Sequence, residues 1–135
     1  MGWRTRRGVM CGFALVVAGQ AFALEDPATR VKKAREAARA NAASPEGREW
    51  NERNQFATDR LMILVLNRCL PEPAGDIPTA FSVYVRLSQV GRVREVVTEL
   101  DASLGKCMTA ASREMPFPEA PRDDYWIEVN MAAPL

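Results

Sequence analysis

Few residues in this chain are of types that do chemistry. Its 135 residues contain three cysteines, Cys11, Cys69 and Cys107, and no histidine. The commonest general base is therefore missing, and so few cysteines without histidine cannot fill a tetrahedral zinc shell. The serines fall at helix starts or on polar strand positions, with no base to activate them. Glu46, Glu49 and Glu52 are three apart, but Arg48, Arg53 and Arg60 share their segment, the pattern of a solvated charged helix face. Asp123 and Asp124 read as turn residues before a strand. There is no glycine-rich phosphate loop. These residue types predict a protein that is not an enzyme and holds no metal or cofactor. An enzymatic alternative would have to rest on a carboxylate such as Glu128.

What the cysteines do depends on where the protein goes. Arg4, Arg6 and Arg7 precede an apolar run from Val9 to Gly19, and Gln20-Ala21-Phe22-Ala23 ends in a small-x-small pattern. This is the layout of a cleavable signal peptide over residues 1–23. A retained membrane anchor is the rival, but the apolar run is about a dozen residues, against roughly 20 needed to span a bilayer core. Cys11 precedes most of that run and lacks the context of a lipidated cysteine. Export to an oxidising compartment, the periplasm of a Gram-negative bacterium, leaves Cys69 and Cys107 as an even pair and predicts a disulfide. Two buried free thiols are the alternative. Cleavage also removes three basic residues and no acidic ones, leaving fifteen against seventeen and a net charge of −2. Mixed charge near neutrality argues against a nucleic-acid surface, and no membrane span is expected after cleavage.

The remaining 112 residues suit one domain. Asp26-Pro27 opens a helix through residue 43 whose only larger apolar residue is Val31, so residues 24–44 are expected to be an exposed helical lead-in. A membrane-surface helix is weakened by the same lack of large apolar side chains. Ser44-Pro45 starts a second helix carrying Trp50, Phe56, Leu61, Leu64 and Val65 towards Cys69. Two prolines and Gly75 break the chain over residues 70–76. From Ala80 the period becomes two. Phe81, Val83, Val85 and Leu87 point inward and alternate with Ser82, Tyr84, Arg86 and Ser88. After a turn at Gly91 the next strand places Val93 and Val96 three apart, which calls for a β-bulge near Arg94 and Glu95. Asp101 caps a third helix with Leu104, Cys107, Met108 and Ala111 on one face, turning Cys107 inward. A last strand runs from Tyr125 to Met131. The prediction is a single α+β domain over 45–135, with a small antiparallel sheet.

Residues 80–135 resemble the C-terminal domain of the TolA and TonB envelope proteins. The features that carry the resemblance are, in order, "FSVYVRLS", "GRVREVV", the helix "KCMTAASREM", the proline pair in "PFPEAP" and the closing "NMAAPL". It implies a strand-strand-helix-strand unit and a non-enzymatic role as a periplasmic protein-binding module, with an envelope or secretion-system protein as partner. The chain departs from that family in having a cleavable signal and a short lead-in where those proteins have an anchor and a long spacer. Physically, a terminal edge strand can take up an extended segment by β-augmentation. Tyr125, Trp126, Ile127, Glu128, Val129 and Asn130 are therefore the candidate partner-binding residues. Tyr125, Ile127 and Val129 pack inward, and Trp126 stands outward as an anchor unless the N-terminal helices cover it. The alternative role is a small secreted inhibitor or immunity protein against a periplasmic enzyme or toxin.

Overall fold

Proline and serine punctuation sets the helices. A computed structural model describes residues 25–70 and 80–132. Residues 1–23 with Cys11, read as a signal segment, the expected turn at 71–76 and the closing residues 133–135 lie outside the described residues. Helix α1, Pro27–Ala43, starts with proline in its first turn, where the missing N–H costs nothing. Ser44 is the single residue between α1 and α2, Pro45–Cys69, and serves both helices. Its N–H donates to the Asn41 carbonyl of α1 at 3.2 Å, and its Oγ accepts the Gly47 N–H of α2 at 3.0 Å. Helix α3, Ala102–Ser112, is capped by Asp101, whose carboxylate accepts the Ser103 N–H at 2.9 Å. Among the described residues, no helix is long and apolar enough to cross a membrane.

Strands β1 (Ala80–Leu87), β2 (Val93–Thr98) and β3 (Tyr125–Ala132) form one antiparallel sheet in the order β2-β1-β3. The architecture is α+β. Gly91 turns the β1–β2 hairpin at φ 81°, a conformation costly for any residue with a Cβ. The expected bulge is present: Arg86 faces Glu95 and Leu87 faces Val93, so Arg94 is the extra residue. This shift lets Val93 and Val96 share one core although they are three apart.

That core lies between the sheet and the pair α2 and α3. It joins Met62, Val65 and Leu66 of α2 and Met108 of α3 to Val83, Val85, Leu87, Ile127 and Val129 of the sheet. A second, smaller cluster fills the opposite face, where Val31, Ala34 and Ala38 of α1 sit on Tyr84 and Val97, with Trp126 packed alongside. The sheet is thus covered on both sides.

Two expectations are corrected by this arrangement. The helix of the lead-in is not exposed. One face, with Val31, Ala34 and Ala38, is buried, because side chains this small let a helix lie close on a sheet. Salt bridges then hold its flanks, Arg30 to Glu95, Arg35 to Glu99 and Arg39 to Glu128. Consequently Tyr84, expected on an outward polar face, is 1% exposed, and its hydroxyl accepts the Arg35 Nε–H at 3.0 Å. Cys107, expected to point inward, is exposed. Helix α3 buries Gly105, Met108 and Ser112 instead, a face turned towards β2, so Cys107 emerges at the rim. There it meets Cys69 at the end of α2, and the two are disulfide-bonded with Cα atoms 5.8 Å apart.

Candidate functional site

All six residues singled out from 125 to 130 lie on β3, an edge strand. Tyr125, Ile127 and Val129 face the main core and are at most 5% exposed. Trp126 is half-buried against α1's cluster, with the Arg86 guanidinium 5.8 Å from its ring centre, so it is no free-standing anchor. The accessible parts of this strand are its backbone edge and the side chains of Glu128 and Asn130.

The ladder decides which backbone groups face outward. In an antiparallel pair, successive residues turn their N–H and C=O groups alternately towards and away from the partner. The Ser88 N–H donates to the Arg92 carbonyl at 2.8 Å, so the even-numbered residues of β1 face β2 and the odd-numbered ones face β3. By register with β1, Tyr125, Ile127, Val129 and Met131 bond inward. Trp126, Glu128 and Asn130 turn their backbone groups away from β1.

The two edges of the sheet are treated unequally. On β2 Val96, which turns outward, is capped by α3: its N–H donates to the Thr109 hydroxyl at 2.9 Å, and that hydroxyl donates to the Gly105 carbonyl at 2.8 Å. Thr98, outward by the same register, has no backbone partner among the described residues. Removing the cap by Thr109→Val is expected to cost about 1–2 kcal/mol, because a backbone donor loses its partner. Urea denaturation checks this, and a change below a few tenths of a kcal/mol would show that the cap is dispensable. On β3, among the described residues, only the first outward carbonyl is taken. Asn41 Nδ2 of α1 donates to the Trp126 carbonyl at 3.0 Å, and Asn41 is itself held by the Arg122 guanidinium. Beyond it, no second strand or side-chain bond meets the backbone of Glu128 or Asn130 among the described residues.

The side chains around this open stretch are mixed in charge. Glu128 accepts from Arg39 Nε at 3.3 Å, and Asn130 accepts from the Ser82 hydroxyl at 2.9 Å. At the entrance to β3, Asp124 adopts φ 53° and pairs with Arg86 at 3.0 Å. Asp123 accepts the Gln89 N–H at 2.8 Å, so these two aspartates form a turn. Burial raises the Tyr125 phenol above its usual value, partly opposed by the Arg122 charge, and the group stays neutral near pH 7. The glutamates and arginines of α2 noted from the sequence are exposed, with Glu49 and Arg53 forming an i,i+4 pair.

The pattern reading missed Asn41, Arg39 and Thr109, although Asn41 left a signal. It follows Val31, Ala34 and Ala38 at helical spacing, so it belongs to the same buried stripe. Thr109 lies one position past the apolar face read for α3 and left no comparable mark.

Fold and site together define a small disulfide-linked α+β domain with both sheet faces covered, one edge capped by α3 at Val96 and the other, among the described residues, without a partner strand along its C-terminal half. Compared with known proteins, the chain matches no family model, no curated protein and no solved structure.

Proposed function

We propose that the protein is a non-enzymatic periplasmic binding module of the TolA/TonB C-terminal type, which takes an extended segment of an envelope or secretion-system protein as a fourth strand beside β3. The observation that carries this reading is the unequal treatment of the edges. A fold that satisfies Val96 on β2 and, among the described residues, leaves the backbone of Glu128 and Asn130 of β3 unpaired has covered one aggregation-prone edge and kept the other accessible. Strand addition uses such groups, with backbone hydrogen bonds supplying affinity and alternate side chains supplying selectivity. The disulfide suits an oxidising compartment, in keeping with the signal-like N-terminus.

The test follows from the ladder. Because the Asn130 N–H faces away from β1, Asn130→Pro removes a donor from this edge without breaking a backbone bond to β1. Asn130→Ala, which removes the same exposed side-chain bond to Ser82 and keeps the N–H, is the control. A valine-threonine alternating peptide titrated into the protein is expected to shift the Glu128 and Asn130 amide resonances. In the Asn130→Pro variant its affinity is expected to fall about tenfold, the worth of one backbone hydrogen bond at the upper end of its range. Unchanged affinity, or shifts mapping to another surface, would reject strand pairing at β3. Tight one-to-one binding to a periplasmic enzyme, indifferent to Asn130→Pro, would favour the inhibitor reading.

A further inference from the structure

The open edge is closed at one end. The Asn41 amide sits on the Trp126 carbonyl, and Ser44, the residue joining α1 to α2, follows three residues later. Since α1 covers one face of the sheet and α2 the other, the chain crosses the edge of β3 here. A strand added beside β3 can pair with Glu128 and Asn130 but must end, or turn away, before Trp126.

The chemistry of this corner says what kind of end it suits. Arg39 donates to Glu128 through Nε at 3.3 Å. Its side chain is 64% exposed. Arg122 bonds Asn41 Oδ1 and lies 3.6 Å from Glu46, with its side chain 53% exposed. Two guanidinium groups and an amide thus stand where the guest strand stops, offset by the carboxylates of Glu128 and Glu46. A guanidinium fork with free donors matches a carboxylate. A guest running antiparallel to β3 arrives here with its C-terminal end, whereas a parallel guest would bring a cationic amino end against cations.

We propose that the β3 edge receives the free C-terminus of an extended chain, antiparallel to β3, with its terminal carboxylate at the Arg39/Asn41/Arg122 corner. The partner class is therefore a protein or peptide whose last residues are extended and end in a free carboxylate. This rests on strand pairing at β3 and adds to it a direction and an end.

The experiment uses the full oxidised protein and one labelled peptide, Lys-Val-Thr-Val-Thr-Val, made as the free acid and as the carboxamide. The acid is expected to bind about tenfold more tightly than the amide, as for hydrogen bonds to a charged group. Arg39→Gln is expected to bring the acid down towards the amide and leave the amide unchanged, while Arg39→Lys restores part of the difference. Because Arg39 forms only an exposed ion pair, neither substitution is expected to disturb folding. Equal binding of acid and amide, with both shifting the Glu128 and Asn130 amides, would overturn the C-terminal assignment and leave strand pairing standing. If neither peptide binds, strand pairing at β3 falls and this assignment falls with it.

Discussion

Replacing Cys107 with serine is expected to lower the stability of the oxidised protein by about 3–4 kcal/mol, the chain-entropy value for cross-linking residues this far apart. The cysteines are 38 positions apart, so the bond restrains a long stretch of unfolded chain. In the folded protein it ties the last residue of α2 to the middle of α3. Helix α3 is otherwise held by buried Gly105, Met108 and Ser112, by Leu104 and Ala111 at the margin of the core, and by the Thr109 bond to Val96. The loss is therefore expected to be felt first where α3 guards the sheet. Hydrogen exchange at the Val96 amide, which donates to Thr109, should accelerate more than at the amides of β1. Urea denaturation measures the global effect. A difference below about 1 kcal/mol, far under the cross-link estimate, would show that the disulfide is incidental to the fold.

Gly47→Ala is expected to destabilise the protein by about 3 kcal/mol, the upper part of the range for overpacking. The usual sign is reversed here. At an ordinary helix position alanine is favoured over glycine by roughly 1 kcal/mol. At Gly47, however, a Cβ would stand 1.7 Å from the Asn41 carbonyl oxygen and 2.6 Å from its carbon. These are backbone atoms of α1, so no side chain can swing aside. The α1–α2 junction would have to open, which lifts Asn41 off the Trp126 carbonyl and loosens α1 from Tyr84, Val97 and Trp126. Trypsin should then cut after Arg35 and Arg39 much faster than in the unaltered protein. Unchanged stability with unchanged cleavage would mean that the two helices do not approach so closely in solution.

Both effects bear on the proposed binding edge. The disulfide keeps α3 in place beside β2, and the Gly47 contact keeps the α1–α2 junction in place at the start of β3. The protein's two sheet edges differ because helices from opposite ends of the chain reach them. One helix supplies a threonine hydroxyl and the other an asparagine amide.

Residues within one element were legible to the extent that local patterns govern them. Proline after an aspartate or serine marks α1 and α2, and Asp101 marks α3, because capping is a contact between near neighbours. Alternation from Phe81 to Leu87 and from Tyr125 to Met131 assigns the strands and their core faces. The three-residue step from Val93 to Val96 even signals the bulge at Arg94. The pairing of Cys69 with Cys107 was read from their even number beside an export-like leader, and the two are joined in the structure.

The remainder depended on contacts between distant parts of the chain. Helix α1 presents one valine and two alanines, too little to reveal docking until the sheet face beneath it is formed. Salt bridges from Arg30, Arg35 and Arg39 to glutamates some sixty to ninety residues away flank that docking. Tyr84 and Trp126 were assigned outward by alternation, which reports the side of a strand but not whether a helix covers that side. The rotation of α3 that brings Cys107 to the rim follows from a helix seated against both β2 and α2, and no single periodicity encodes two contact directions. By itself the sequence determined the α+β elements, the core faces of β1 and β3, and the cysteine pair. Only the tertiary structure decided that Val96 of β2 is capped by α3, that no further strand pairs with β3 among the described residues, and that Asn41 and Arg39 stand beside Trp126 and Glu128 at that edge. The physical reason is that strand order, edge exposure and the approach of one helix to another are properties of long-range packing, which local periodicity does not carry.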